Sequence, residues 1–137
     1  MSNEYPYLAG LRPDVNVSLP VATATAVFVG DLLKLVAGLV LPVTAATDDA
    51  TAFGFAVEAK EANVATVTGK ITVALLDGIS RMKVRLGSPA TVAVGDQLEI
   101  VTSSTYVVGA TDPVATVVEG GTSVSSVTAI FKRSPLI

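Results

Sequence analysis

The sequence predicts an all-β fold, a small β-barrel assembled from internally duplicated strand-turn-strand units behind an extended N-terminal arm. Three observations lead there. The apolar half of the chain is mostly Val and Ala interleaved with Thr and Ser, a mixture that favours strands. Turn signals recur at Gly30-Asp31, Asp77-Gly78, Gly87-Ser88-Pro89, Gly95-Asp96 and Gly120-Gly121, the density expected of a barrel or sandwich. And one phrase is written twice: "VFVGDLLKL" at 27–35 returns as "VAVGDQLEI" at 92–100.

In both copies a Gly-Asp pair sits between alternating apolar residues. Glycine reaches positive φ at little steric cost, and aspartate hydrogen-bonds its own backbone in a tight turn. Gly30-Asp31 and Gly95-Asp96 are therefore expected to be repeated structural turns, 65 positions apart. A second echo, "ATD" at 46–48 and 110–112, keeps a spacing of 64, and a third, "VEA" at 57–59 against "VEG" at 118–120, a spacing of 61. The falling offset implies a few residues lost from a loop between the blocks. No linker divides the chain, so the duplicated halves are expected to interleave in one core, within a single all-β domain over residues 21–137.

Residues 1–20 carry two of the three tyrosines and three of the seven prolines and show no sustained period. Proline fixes φ and removes an amide donor, so this stretch reads as an extended arm laid over a surface. Its candidate contact residues are Tyr5, Pro6, Tyr7, Leu11, Arg12 and Pro13. Beyond it the candidate strands are 21–29, 52–59, 63–76, 80–86, 90–94, 97–101, 105–108, 114–119 and 123–131. Residues 45–52 and 63–65 have room for a short helical turn, and nearby β-branched residues argue against anything longer. The most apolar stretch, "LLKLVAGLVLPV" at 32–43, is broken by Lys34 and closed by Pro42, short of the roughly 20 apolar residues a spanning helix needs. No membrane partner is expected, and the N-terminus has no secretory-signal pattern.

The composition removes much chemistry. Without cysteine there is neither a disulfide nor a thiolate site, and without histidine the usual neutral-pH base and commonest metal ligand are gone. A net charge of −3 argues against nonspecific binding to nucleic acid. Asp48, Asp49 and Asp112 cluster near the "ATD" words, but their spacing is not that of a calcium loop, and turn-forming roles are expected of them. No nucleotide-binding glycine loop occurs, and no cofactor, metal site or enzymatic activity is expected. One charged feature remains: in "SRMKVRL" Arg81, Lys83 and Arg85 alternate with Met82, Val84 and Leu86, placing three cations on one strand face. This patch is either a solvated, edge-protecting face or an interface for an acidic partner.

The run "TDDATAFGFAVEAKEANVATVTGKITVALLDGISRMKVRL" at 47–86 resembles the head decoration, or capsid cement, proteins of tailed phages, the phage lambda type among them, and the V-x-V-G-D-x-L turns are similar to those of other small capsid cement proteins. The resemblance implies a β-clip or β-tulip barrel that forms homotrimers on the outer surface of the virion and braces neighbouring major capsid protein subunits after synthesis in the host cytoplasm. It also implies that residues 1–20 become ordered on the shell, by strand addition. It carries no catalytic residue. The alternatives are a carbohydrate-binding or adhesive β-module of a fibre or spike, and, behind it, an enzyme subunit built on a barrel.

Overall fold

The computed structural model describes residues 7–8, 16–22, 24–61 and 70–136; of Tyr7 and Leu8 only the backbone is described. Among the described residues the chain is all-β apart from one short 3-10 turn, η1 (Ala46–Ala50). Its strands are β1 (Tyr7–Leu8), β2 (Asn16–Pro20), β3 (Leu32–Val36), β4 (Leu39–Pro42), β5 (Ala52–Ala56), β6 (Lys70–Leu75), β7 (Arg81–Val92), β8 (Gln97–Ile100), β9 (Thr105–Val108), β10 (Ala115–Glu119) and β11 (Gly121–Phe131).

Two five-stranded units follow one another along the chain, and they share one topology. The first runs β2-β6-β5-β3-β4, and the second β7-β11-β10-β8-β9 with β1 added on β7. Each unit joins its two end strands by a parallel contact: Val21 bridges to Val40 in the first, and Leu86 pairs with Tyr106 in the second. Each is thus a small closed ring. The equivalence holds residue by residue. Leu33 opposite Gly54 becomes Leu98 opposite Ala115; Ala56 opposite Val73 becomes Val117 opposite Ala129; Val17 opposite Val73 becomes Met82 opposite Ala129. The offset between equivalents is 65 at β2 and β3, 66 at β4, 61 at β5 and 56 at β6. Each drop of five falls in a loop, first β4–β5 against β9–β10, then β5–β6 against β10–β11, because strand pairing fixes register and loops absorb length changes at small entropic cost.

The duplicated halves therefore do not interleave, as the unbroken sequence suggested; each closes its own ring. Val27, Leu33, Val40, Phe53, Ala56, Ile71, Val73 and Leu75 form the core of the first unit. The larger cluster fills the second unit and takes in Leu32, Val43, Ala52, Phe55 and Leu76 from the first. Alternation along β3 turns Leu33 into its own ring and Leu32 toward the second unit. In β5 a bulge, the register slipping between Leu33↔Gly54 and Lys34↔Ala52, lets Phe53 join the first core while Phe55, two positions on, packs on the second unit. At this junction the Phe131 ring meets Phe55 edge-on at 5.0 Å and Tyr106 at 5.3 Å. A shared apolar layer, rather than a linker, holds the units together.

Three boundaries differ from those read in the sequence. Residues 16–20, assigned to the arm, are strand β2, paired with β6 at five positions, because Val17 and Leu19 alternate onto the first core. The expected strand at 21–29 contributes only the bridges at Val21 and Val27. Finally, Gly87-Ser88-Pro89 does not end a strand. β7 runs through it, and the register against β11 slips between Arg85↔Ser126 and Ala90↔Val124, a bulge where the missing proline N–H needs no cross-strand acceptor.

Candidate protein-binding surface

The repeated Gly-Asp turns prove to be the same device built twice. Gly30 and Gly95 take φ of 93° and 95°, the left-handed region that a side chain would strain. The Asp31 and Asp96 carboxylates each accept from the backbone N–H three residues back, Phe28 and Ala93, at 2.9 Å. Gly30 N–H donates to Ala56 O and Gly95 N–H to Val117 O, both at 2.9 Å, while the Asp carbonyls accept the return bonds from Ala56 and Val117. These turns lock the entry of β3 and β8. Their surroundings then diverge. Asp31 is buried at the unit junction and also accepts from Ser103 Oγ at 3.1 Å, while Leu32 N–H donates to Ser103 O at 2.8 Å. Burial pushes the Asp31 carboxyl above the usual carboxylate range, the bonds from Phe28 and Ser103 only partly offsetting it.

The "ATD" words lie in equivalent loops but do different work. Asp48, in η1, accepts from Thr44 N–H at 2.8 Å and Ala45 N–H at 3.2 Å and pairs with Lys34 Nζ at 3.1 Å. Partial burial would raise its carboxyl, but these bonds and the Lys34 charge outweigh it and hold the group below its ordinary range. Asp49 pairs with Lys132 at 3.0 Å, tying η1 to the end of β11 across the units. In the second unit the place of Lys34 is taken by Glu99, whose carboxylate accepts from Thr111 and Asp112 N–H at 3.4 Å. A cation supporting a loop aspartate in one copy is thus replaced by an anion supporting loop amides in the other. Among the described residues no three Asp or Glu side chains are gathered as a metal would require.

The cationic strand is arranged as its alternation predicted. Met82, Val84 and Leu86 are buried, whereas Arg81 and Arg85 are exposed and Lys83 is half-buried on the opposite face. β1 lies along this strand, Tyr7 opposite Lys83 and Leu8 opposite Met82. Of the expected contact residues only Tyr7 is brought there; Tyr5, Pro6, Leu11, Arg12 and Pro13 lie outside the described residues.

What the sequence did not single out is the apolar decoration of the turns and hairpins. Val36 and Leu39 face each other, exposed, at the end of the β3–β4 hairpin. Val101, at the place of Val36, and Val107 and Val108 on β9 are exposed in the equivalent hairpin of the second unit. Phe28, 62% exposed, and Val94, 71% exposed, stand in the two Gly-Asp turns. A shallow groove of about 440 Å³ on the outer face of β8, β10 and β11 is lined by Gln97, Thr116, Val118, Ile130, Lys132 and Arg133, among others. Its one aromatic lining residue, Phe131, is only 3% exposed. No family model matches this chain, and no curated protein matches it.

Proposed function

We infer that this chain is a non-enzymatic structural protein that binds the outside of a viral icosahedral capsid as a trimer and stabilises contacts between major capsid subunits. The observation that carries the reading is the exposed apolar side chains of the two equivalent hairpins, Val36 and Leu39 at the end of β3–β4 and Val101, Val107 and Val108 along β8–β9, set on two joined rings. Exposed apolar side chains cost solvation when left in water and stabilise when covered by another protein. Val36 and Val101 stand at equivalent places, so the duplication presents an exposed valine twice, which suits a partner that is itself a repeated lattice. A short N-terminal strand that adds to a sheet edge supports the same reading, since strand addition gives affinity through backbone hydrogen bonds. The carbohydrate-binding alternative would want aromatic rings on an exposed platform, and the open groove offers none that solvent reaches.

The test is co-sedimentation with empty heads of the source virus, comparing the full chain with one that starts at Asn16. That truncation removes the arm yet keeps β2, which a cut at Val21 would destroy. The expected result is saturable binding at a fixed ratio to the capsid protein, weakened by truncation. Absence of binding at every concentration would overturn the proposal, and equal binding by both chains would remove the arm from it.

A further inference from the structure

The duplication sets two strand edges in equivalent positions and, among the described residues, fills only one of them along its length. In the second unit the edge of β7 away from β11 receives β9 at Arg85 and Leu86 and β1 at Met82 and Lys83. In the first unit the corresponding edge of β2, away from β6, receives β4 through Val21 and Val40. Residues 16–19, at the places of 81–84, meet no further strand among the described residues.

An uncovered strand edge presents a row of N–H and C=O groups ready to pair with another extended segment, and proteins usually blunt such edges with charge, proline or a bulge. Here the protection is inverted. The covered edge carries Arg81 and Lys83, whereas Asn16, Val17, Ser18 and Leu19 have neither charge nor proline, and β2 pairs with β6 over five residues without a bulge. The occupant is indicated by the second unit, where a segment of this same chain, Tyr7–Leu8, lies antiparallel on the equivalent residues.

We propose that residues 16–19 of one copy accept the Tyr7–Leu8 segment of a second copy, exchanged from that copy's own β7 edge, antiparallel to β2, with Tyr7 opposite Ser18 and Leu8 opposite Val17. Such a contact is heterologous, one copy donating and the next accepting, and it closes into a ring when the rotation between copies permits. It needs no capsid, so it stands apart from the function proposed above.

The chain contains no cysteine, so introduced thiols are the only ones. Opposed residues of an antiparallel pair lie about 4.5–5.5 Å apart between Cα atoms, within the span of a disulfide. Tyr7→Cys and Ser18→Cys are made as separate full-length variants, one of them isotopically labelled, then mixed and mildly oxidised. The expected product is a mixed dimer with its disulfide between positions 7 and 18, found by mass spectrometry and more abundant than either like-with-like dimer. A Tyr7→Cys, Lys83→Cys double variant is expected to close within one chain and reports that the segment is competent. Absence of the mixed dimer overturns the proposal, and so does a Tyr7→Cys, Ser18→Cys double variant that closes only within its own chain.

Discussion

Tyr106 is 1% exposed, and its hydroxyl has no hydrogen-bond partner among the described residues, although its ring packs edge-on against Phe131 at 5.3 Å. A hydroxyl buried without a partner costs about 1–3 kcal/mol by mutational measures, and the residue is held at this cost because the ring fills the second core. Burial, and after it the nearby Asp31 charge, push the phenol well above its ordinary range, so it stays neutral at any pH at which the protein is handled. Tyr106→Phe deletes the oxygen and keeps the ring, so the substitution is expected to stabilise by about 1–2 kcal/mol. With an unfolding entropy of about 2.1 cal/mol/K per residue, that corresponds to a rise in Tm of about 3–7 °C. Calorimetry and urea unfolding would read it. Phe131→Ala supplies the control, with an expected loss of about 3–5 kcal/mol as the ring contacts to Tyr106 and Phe55 disappear. A loss of 1 kcal/mol or more in Tyr106→Phe would refute the reasoning, for it would mean that the hydroxyl is bonded.

The equivalence of the units makes further expectations specific. A Cβ on Gly54 would meet Val73 Cγ1 at 2.5 Å and the Ala74 carbonyl oxygen at 2.6 Å, so Gly54→Ala should cost about 1–3 kcal/mol in urea unfolding, although its equivalent is already Ala115. Gly95→Ala meets no neighbour but must hold φ of 95°, and a cost of about 1–2 kcal/mol is expected from backbone strain alone. The two loop aspartates should respond oppositely to pH. Asp31 has a raised folded value, so the native state binds the extra proton and stability falls as pH rises from about 3.9 through that value. Asp31→Asn should flatten this slope. Asp48 has a lowered folded value, so its contribution is present above about 3.9 and is lost as pH falls through the folded value, a loss that Asp48→Asn should abolish in acid unfolding.

The fold class was legible because its signals are local: Gly-Asp turns and period-two alternation predicted the two locked turns, the outward cations of β7 and the falling offset between copies. The offset marked the duplication but not the two separate rings: the unbroken sequence suggests interleaved halves, whereas a register preserved through five strands leaves each copy able to close alone. Nothing local marks that closure, which depends on one parallel contact in the first unit, Val21 with Val40, and two in the second, Arg85 with Thr105 and Leu86 with Tyr106. Strand β2 was hidden because a proline ends it and tyrosine- and proline-containing sequence precedes it, and the bulge at Pro89 was hidden because a proline normally signals a stop. The junction partners Asp31 and Ser103 lie 72 positions apart and share no motif, so sequence reading could not join them. The apolar hairpin ends went unnoticed for a related reason. In a chain that is half apolar, Val36 and Val107 look like any other strand valines until the structure turns them outward.

The central claim, that this double ring clamps a viral shell, is tested most directly by image reconstruction of empty heads saturated with the purified protein. The account predicts two-lobed density on the outer surface, grouped in threes, with apolar hairpin ends or the N-terminal segment touching more than one capsid subunit. A bare outer surface at saturation, or isolated copies each resting on one subunit, would contradict it.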